Sequence, residues 1–481
     1  MKTKLTVAKN AGWLVSAKFI ARILTAVFII LLANHLLPRS FGIFNFALAL
    51  SYVGTVITDL GFDELTIREV SRDDSKGPMM LGNVLALRVL LAISTISILA
   101  ITYFILFRET HTALSLPILI VASSMILMEK FSGAFVAQFQ ALQRMEFQAL
   151  TTIISKSAYL ILGISGILLG YDLLKILILL FVSYLLNLIL SFYIYFTRLN
   201  GKIQRPKIEQ WRPIIKEASP FTAFVFLSMV YGHIIILILS VLEGDFATGV
   251  YSASWKIIVF FGLVPYSFGR ALYPVFSQHF GSSEKVMQKT YRHSLRYLLL
   301  FSLPLTLGLY VIGGDVLQFI YRSEFSPTIS VFKTIIWLLP FLFMNGSLKM
   351  ALWGSDRTID STKNLALASV VLVVVGLITI PQFGVIGAAI AVVLAEITHF
   401  ITNYHVVTTY LGPIPFSNFW KPYAASMVMA GILYSSTFFD MGISSLWLLP
   451  PAMIVYFLVL YLMKGIGEHD INIIKELVIR G

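Results

Sequence analysis

The sequence predicts an all-α polytopic membrane protein of about fourteen transmembrane helices, and three observations predict it. Apolar residues make up 58% of the 481 residues and charged ones only 12%, a balance at which a water-soluble chain would precipitate. The apolar runs recur along the whole length, with no polar block long enough to fold as a separate globule. They are long and continuous, unlike the short alternating segments of barrel strands, so helices are left as the structure that satisfies its backbone inside hydrocarbon. The mean hydropathy of +0.85 agrees.

Taking about 20 residues per crossing, spans are expected near residues 12–37, 41–62, 80–107, 113–137, 149–170 and 173–197. The next six fall near 217–242, 249–276, 294–314, 329–352, 363–381 and 384–411, and two more near 421–439 and 444–464. The first run, preceded by Lys2, Lys4 and Lys9, is too long for a signal-peptide core and is read as an uncleaved helix. The connectors at 37–40 and 243–248 read as tight turns, and the segment from Asp63 to Gly77, mixed in charge, as an interfacial amphipathic helix of structural role.

The formal net charge is +12. In a soluble chain that would raise nucleic acid as a partner, but here the bases sit in short loops beside apolar helices, where they set orientation and meet lipid headgroups. They crowd alternate connectors: Arg68, Arg72 and Lys76; then Arg198 to Lys216; then Lys285, Lys289, Arg292 and Arg296. The positive-inside rule therefore puts both termini in the cytoplasm, which an even number of spans allows.

The connector around Pro206 and Pro213 follows the sixth span and suggests a division into helices 1–6 (residues 1–200), helices 7–12 (201–412) and two C-terminal helices with a tail (413–481). A short internal echo supports it: Phe41-Gly42-Ile43-Phe44 opens the second span as Thr248-Gly249-Val250-Tyr251 opens the eighth. Repeated halves of this kind are common in transporters, with the substrate site at the repeat interface.

Ionisable side chains at membrane depth need a hydrated cavity, a partner or a route to the interface. Lys18 and Arg22, four apart, share a face of the first span. They either line a cavity and bind phosphate, Arg22 through its guanidinium fork and Lys18 as a point charge, or snorkel and pair elsewhere. Lys256 and Arg270 return to one face of the eighth span, with the same two readings. Adjacent Glu129 and Lys130 point about 100° apart and need different partners or a local hydrated pocket, a structural ion pair being favoured over a coupling role. Glu396 and His399 form either an H⁺ or Na⁺ coupling site or a hydrogen-bonded packing pair. Arg88, Lys156, Lys333 and Lys349 are expected to snorkel. Gly384, Gly387 and the alanines from Ala388 to Ala391 read as packing and hinge material.

No cysteine is present, so thiolate metal sites and cysteine nucleophiles are excluded, and no nucleotide-binding or hydrolase motif appears. No metal, cofactor or catalytic residue is expected, and the chain is read as a non-enzyme.

The chain resembles the polysaccharide-transporter branch of the multidrug/oligosaccharidyl-lipid/polysaccharide exporter superfamily, which includes the Wzx-type oligosaccharide flippases. The resemblance spans nearly the full length. It rests on Lys9-Asn10-Ala11-Gly12-Trp13 leading into Lys18 and Arg22, on Leu36-Leu37-Pro38-Arg39-Ser40-Phe41-Gly42, on Asp59-Leu60-Gly61-Phe62 before Arg68-Glu69, and on the run from Pro381 to Ala389. It implies two six-helix lobes in a V plus two C-terminal helices, with alternating access to a central cationic cavity. Lys18, Arg22 and Lys256 match the first- and eighth-helix bases of the related lipid II flippases, whereas the second span lacks its base and the eleventh is almost wholly apolar. The implied function is translocation of a polyprenyl-(pyro)phosphate-linked oligosaccharide across the cytoplasmic membrane, with glycosyltransferases of the same pathway as partners. An ion-coupled exporter of small drugs or metabolites on the same scaffold, and a membrane glycan polymerase or ligase, are the alternatives. The first would favour buried carboxylates in its first lobe, and the second a sizeable outer catalytic loop.

Overall fold

The computed structural model describes residues 2–107, 113–414, 419–438 and 445–465. The side chains of some of these, Arg270 among them, lie outside the described residues, as do the predicted helix ends at 439 and 444. The described residues are helical almost throughout and contain no strand. In chain order the helices are α1 (Lys2–Gly54), α2 (Val56–Asp59), α3 (Phe62–Arg72), α4 (Gly77–Thr102), α5 (Leu116–Ala141), α6 (Met145–Leu168), α7 (Leu173–Arg198) and α8 (Ile208–Phe261). They continue as α9 (Leu263–His279), α10 (Glu284–Ile320), α11 (Thr328–Ile335), α12 (Leu339–Gly354), α13 (Thr358–Phe383), α14 (Val385–Leu411), α15 (Trp420–Phe438) and α16 (Leu449–Leu462).

Ten stretches of the described residues are long and apolar enough to cross a bilayer. Two of them, Gly12–Asp59 with 48 residues and Phe221–His279 with 59, each supply two crossings at about 20 residues apiece. Two shorter helices, α15 of 19 residues and α16 of 14, follow them, and the chain is an all-α polytopic membrane protein. The tight turns expected at 37–40 and 243–248 are tighter still. Each turns on one non-helical residue that separates two helical segments, Leu37 (φ 60°) within α1 and Gly244 (φ 82°) within α8.

The two breaks stand 207 positions apart and pack on each other with the same spacing. A side chain on Gly42 would overlap the Asp245 carbonyl, and one on Gly249 would overlap the Pro38 carbonyl. Only hydrogen at both positions lets the backbones approach this closely. The echo noticed in the sequence is therefore a reciprocal contact. The Asp245 carboxylate also accepts the Ala113 N–H at 2.6 Å, just before α5 begins.

The chain divides into two compact units, Met1–Lys256 with Leu372–Ala388, and Ile257–Val371 with Ala389–Gly481. In the first, α1 packs on α6, and α5 and α6 on α7. Gly163 of α6 makes room for the Phe28 ring, which meets Tyr159 edge-on with centroids 4.8 Å apart. The segment between α7 and α8 is strapped to α4: Asn83 Oδ1 accepts the Lys207 N–H at 2.9 Å and the Trp211 indole N–H at 3.2 Å, and the Gln204 N–H reaches Pro78 O at 3.1 Å. In the second unit, α12 packs on α9 and α10, and α10 on α15. Between α13 and α14 the turn closes on Gly384 (φ 55°), and Thr379 Oγ donates to Gly387 O at 2.8 Å.

Candidate functional site

The apolar helices of the first unit hold two polar centres built on α5. In one, Asp59 at the end of α2 accepts Lys130 Nζ at 2.6 Å and an Arg88 guanidinium N–H at 3.2 Å, and the same guanidinium reaches Asp63 at 2.9 Å. Arg88 also donates to the Lys130 carbonyl. The Arg88 side chain is fully buried, so the expectation that it snorkels is overturned. Two carboxylates supplied by the short α2 and the start of α3 neutralise it inside the protein, and a neutralised guanidinium needs no route to water.

The second centre is a cavity of about 180 Å³ among α5, α6 and α7, within the first unit. Glu129 faces it from α5. Thr152, Ser155 and Lys156 come from one face of α6 at spacings of three and four residues, and Ser183, Tyr184 and Asn187 from α7. Lys156 does not snorkel either. Its ammonium lies 3.4 Å from the Tyr184 hydroxyl and over the rings of Tyr159 and Tyr184, at 5.1 and 4.7 Å from their centroids. Those two rings stabilise the cation where it stands. Asn187 donates to Ser132 Oγ at 3.1 Å, while its carbonyl oxygen is buried without a partner. The Glu129 carbonyl accepts Ser132 Oγ at 2.9 Å, while its carboxylate makes no ion pair or hydrogen bond among the described residues.

Tyr52 of α1 links this cavity to α8. It lies close to Tyr184 and within electrostatic reach of Glu129, and its ring stacks on His233 with centroids 4.7 Å apart and planes 9° from parallel. His233 in turn lies within electrostatic reach of Lys256. Lys256 is half-buried and makes no hydrogen bond or ion pair among the described residues.

The predicted site residues are thus distributed as follows. Lys18 is exposed and Arg22 half-buried, one turn apart on α1, and Lys256 belongs to the same compact unit. The Arg270 side chain lies outside the described residues. Lys130 is bound in the Asp59 centre and Glu129 in the cavity, so the adjacent pair does have separate surroundings. Glu396 and His399 lie in the second unit. Glu396 is 5% exposed and accepts the Asn345 amide at 2.6 Å, at the end of a chain in which Asn364 donates to Asn403 and Asn403 to Asn345.

His233, Tyr52 and Asn187 were not singled out from the sequence. A lone histidine amid the apolar run of 217–242 was the available signal for the first. For the cavity, the signal was polar residues at 152, 155 and 156 and at 183, 184 and 187, each set spaced to share one helical face of a membrane span.

Residues 7–280 match the family described as polysaccharide biosynthesis protein. The chain belongs to the polysaccharide biosynthesis protein family. Within this polysaccharide biosynthesis protein, residues 220–402 also match the MatE family. A Haloferax volcanii protein described as probable low-salt glycan biosynthesis flippase Agl15 is 20% identical over 244 residues, 50% of this chain and 51% of that one. The chain thus matches this curated relative over about half the length of each. Among solved structures, lipid II flippase MurJ in an inward closed conformation superposes with a TM-score of 0.77 at 16% identity, covering 95% of this chain and 99% of that one. An inward-facing multidrug resistance MATE family transporter gives 0.65 at 13% identity over 82% and 94%. These likenesses establish that the chain shares their fold.

Proposed function

We propose that this polysaccharide biosynthesis protein is a flippase that carries a polyprenyl-(pyro)phosphate-linked oligosaccharide across the cytoplasmic membrane by alternating access, with both termini in the cytoplasm. Family membership and the flippase named among its relatives support the substrate class. Lys256 is the observation that carries the reading. Arg88 and Lys130 are neutralised by Asp59 and Asp63, whereas Lys256 stands in an apolar helix without an ion pair among the described residues. A cation held that way attracts an anionic ligand, and the phosphate of a lipid carrier brings one while its polyprenyl tail stays in hydrocarbon. Arg22 supplies a guanidinium fork for phosphate oxygens and Lys18 a further positive charge. Glycosyltransferases that build the glycan on the same lipid supply the substrate, and no chemistry on the substrate is required of the protein.

The test is translocation of a fluorescent lipid-linked oligosaccharide in proteoliposomes. Arg22→Ala together with Lys256→Ala should lower the rate at least tenfold, and an unchanged rate would refute the cationic grip. Glu396, which accepts the Asn345 amide, is either a packing residue or the acid of an H⁺ or Na⁺ coupling site. Glu396→Gln should abolish any acceleration that an imposed gradient gives, and retained acceleration would remove Glu396 from that role.

The match to the MatE family keeps a small-molecule exporter as the second reading. Of the acids expected to bind cationic drugs in the first unit, Asp59 is already paired to two bases, and the cavity at Glu129 is below the roughly 300–1,000 Å³ typical of drug-sized sites. Transport of a lipophilic cationic dye by the same proteoliposomes would favour that reading.

A further inference from the structure

The cavity among α5, α6 and α7 is not accounted for by a phosphate grip. It holds one acid, Glu129, and one base, Lys156, so it has no net charge to offer. A phosphate entering it would meet the Glu129 carboxylate, and a cation would meet the Lys156 ammonium. At about 180 Å³ it has room for about six waters, too much for a single ion and too little for a drug-sized molecule.

Its donor and acceptor set is mixed. Glu129 accepts, Lys156 donates, and Asn187 offers a carbonyl oxygen that is buried and unpartnered. The hydroxyls of Thr152, Ser155 and Ser183 can do either. One turn beyond Asn187, the Ser191 hydroxyl is likewise buried without a partner, so polar capacity along this face of α7 exceeds what the protein itself uses. Tyr184 contributes both a hydroxyl and an aromatic surface. A small, neutral ligand dense in hydroxyl groups fits this description, with polar edges that both donate and accept and a C–H face suited to an aromatic ring.

The position of the cavity adds a second constraint. Through Tyr52 and His233 it is joined to the neighbourhood of Lys256, the base to which the phosphate reading assigns the lipid phosphate. In a lipid-linked glycan the first sugar is bonded directly to that phosphate. We propose that the cavity lined by Glu129, Lys156, Tyr184 and Asn187 is a sugar-binding subsite that takes one uncharged monosaccharide ring of the lipid-linked head. The inference rests on the flippase reading and deepens it: the cationic side chains recognise the phosphate common to all such lipids, and this cavity recognises the sugar.

The experiment measures binding to purified full-length protein in detergent. The probes are polyprenyl pyrophosphate without sugar and a panel of the same lipid carrying one hexose, N-acetylhexosamine, deoxyhexose or hexuronate. For wild type, at least one uncharged sugar should tighten binding about tenfold over the bare lipid. Glu129→Gln and Asn187→Ala should each remove most of that gain and leave the affinity for bare polyprenyl pyrophosphate unchanged, which also shows that the variants are folded. Arg22→Ala should weaken every probe alike. A wild-type protein that gains nothing from any sugar overturns the subsite, and so does a gain that both cavity variants retain or that only the hexuronate gives. Failure of the flippase reading would show separately, as bare polyprenyl pyrophosphate that binds with no dependence on Arg22.

Discussion

Glu129 and Lys130 are adjacent on α5, yet one opens on a cavity without an ion pair among the described residues and the other is tied to Asp59 at 2.6 Å. About 100° of helix separates two ways of keeping charge in an apolar segment. Around Lys130 the charges are mutual, with Arg88, Asp59 and Asp63 holding one another and leaving little for a ligand. Around Glu129 the polar groups exceed the partners available to them. The first arrangement fixes how α2, α3, α4 and α5 meet, and the second keeps a place open, so the count of deep charges says less about function than which of them are already satisfied.

Substitutions can sharpen that contrast. The largest effect is expected from Arg88→Ala, which leaves Asp59 with Lys130 alone and Asp63 with no ion-pair partner among the described residues, at a cost of about 3–5 kcal/mol. Thermal unfolding in detergent should show a strongly lowered midpoint or no folded fraction. Glu129→Gln, a short distance away, should shift stability by less than about 1 kcal/mol, because it breaks no ion pair among the described residues. Equal losses for the two would erase the distinction between a closed centre and an open one.

The smallest effect belongs to the surface of α3. There Glu69 accepts Lys76 Nζ at 2.8 Å and Arg68 Nε at 3.0 Å. The Lys76 hydrogen bond, with help from Arg68, holds its carboxyl below the usual glutamate range. A group whose folded-state pKa is lowered stabilises above its unfolded pKa, here near 4.5, and that contribution is lost as pH falls through the folded value. The midpoint difference between wild type and Glu69→Gln should therefore be fully present at pH 7 and shrink as pH falls below the unfolded value and through the lowered folded one. A difference that does not change between neutral and acid pH would assign it to packing. The neighbouring Arg68 to Glu217 pair is exposed and should contribute less than about 1 kcal/mol.

Hydropathy alone made the spans legible, because hydrocarbon thickness fixes how long each must be. It could not show that each of these turns rests on one non-helical residue, Leu37 or Gly244, since a single residue in an unusual backbone conformation leaves almost no compositional trace. Of the site, the membrane-depth charges could be named from sequence but their partners could not. Arg88 meets Asp59 and Asp63 across 29 and 25 residues, and no helical periodicity relates positions on different helices. Lys156 was misread for a related reason. Its distance from the span end favours snorkelling, while the two tyrosine rings that hold it inward, one of them on α7, become neighbours only after the bundle forms.

The paired breaks also tie two distant stretches of sequence to one another. Gly42 sits four residues after Pro38, and Gly249 four after Asp245, so each segment brings one glycine and one carbonyl at matching places and each glycine receives the other segment's carbonyl. A side chain at either glycine drives the other segment's backbone away, so a substitution at one position undoes the fit at both.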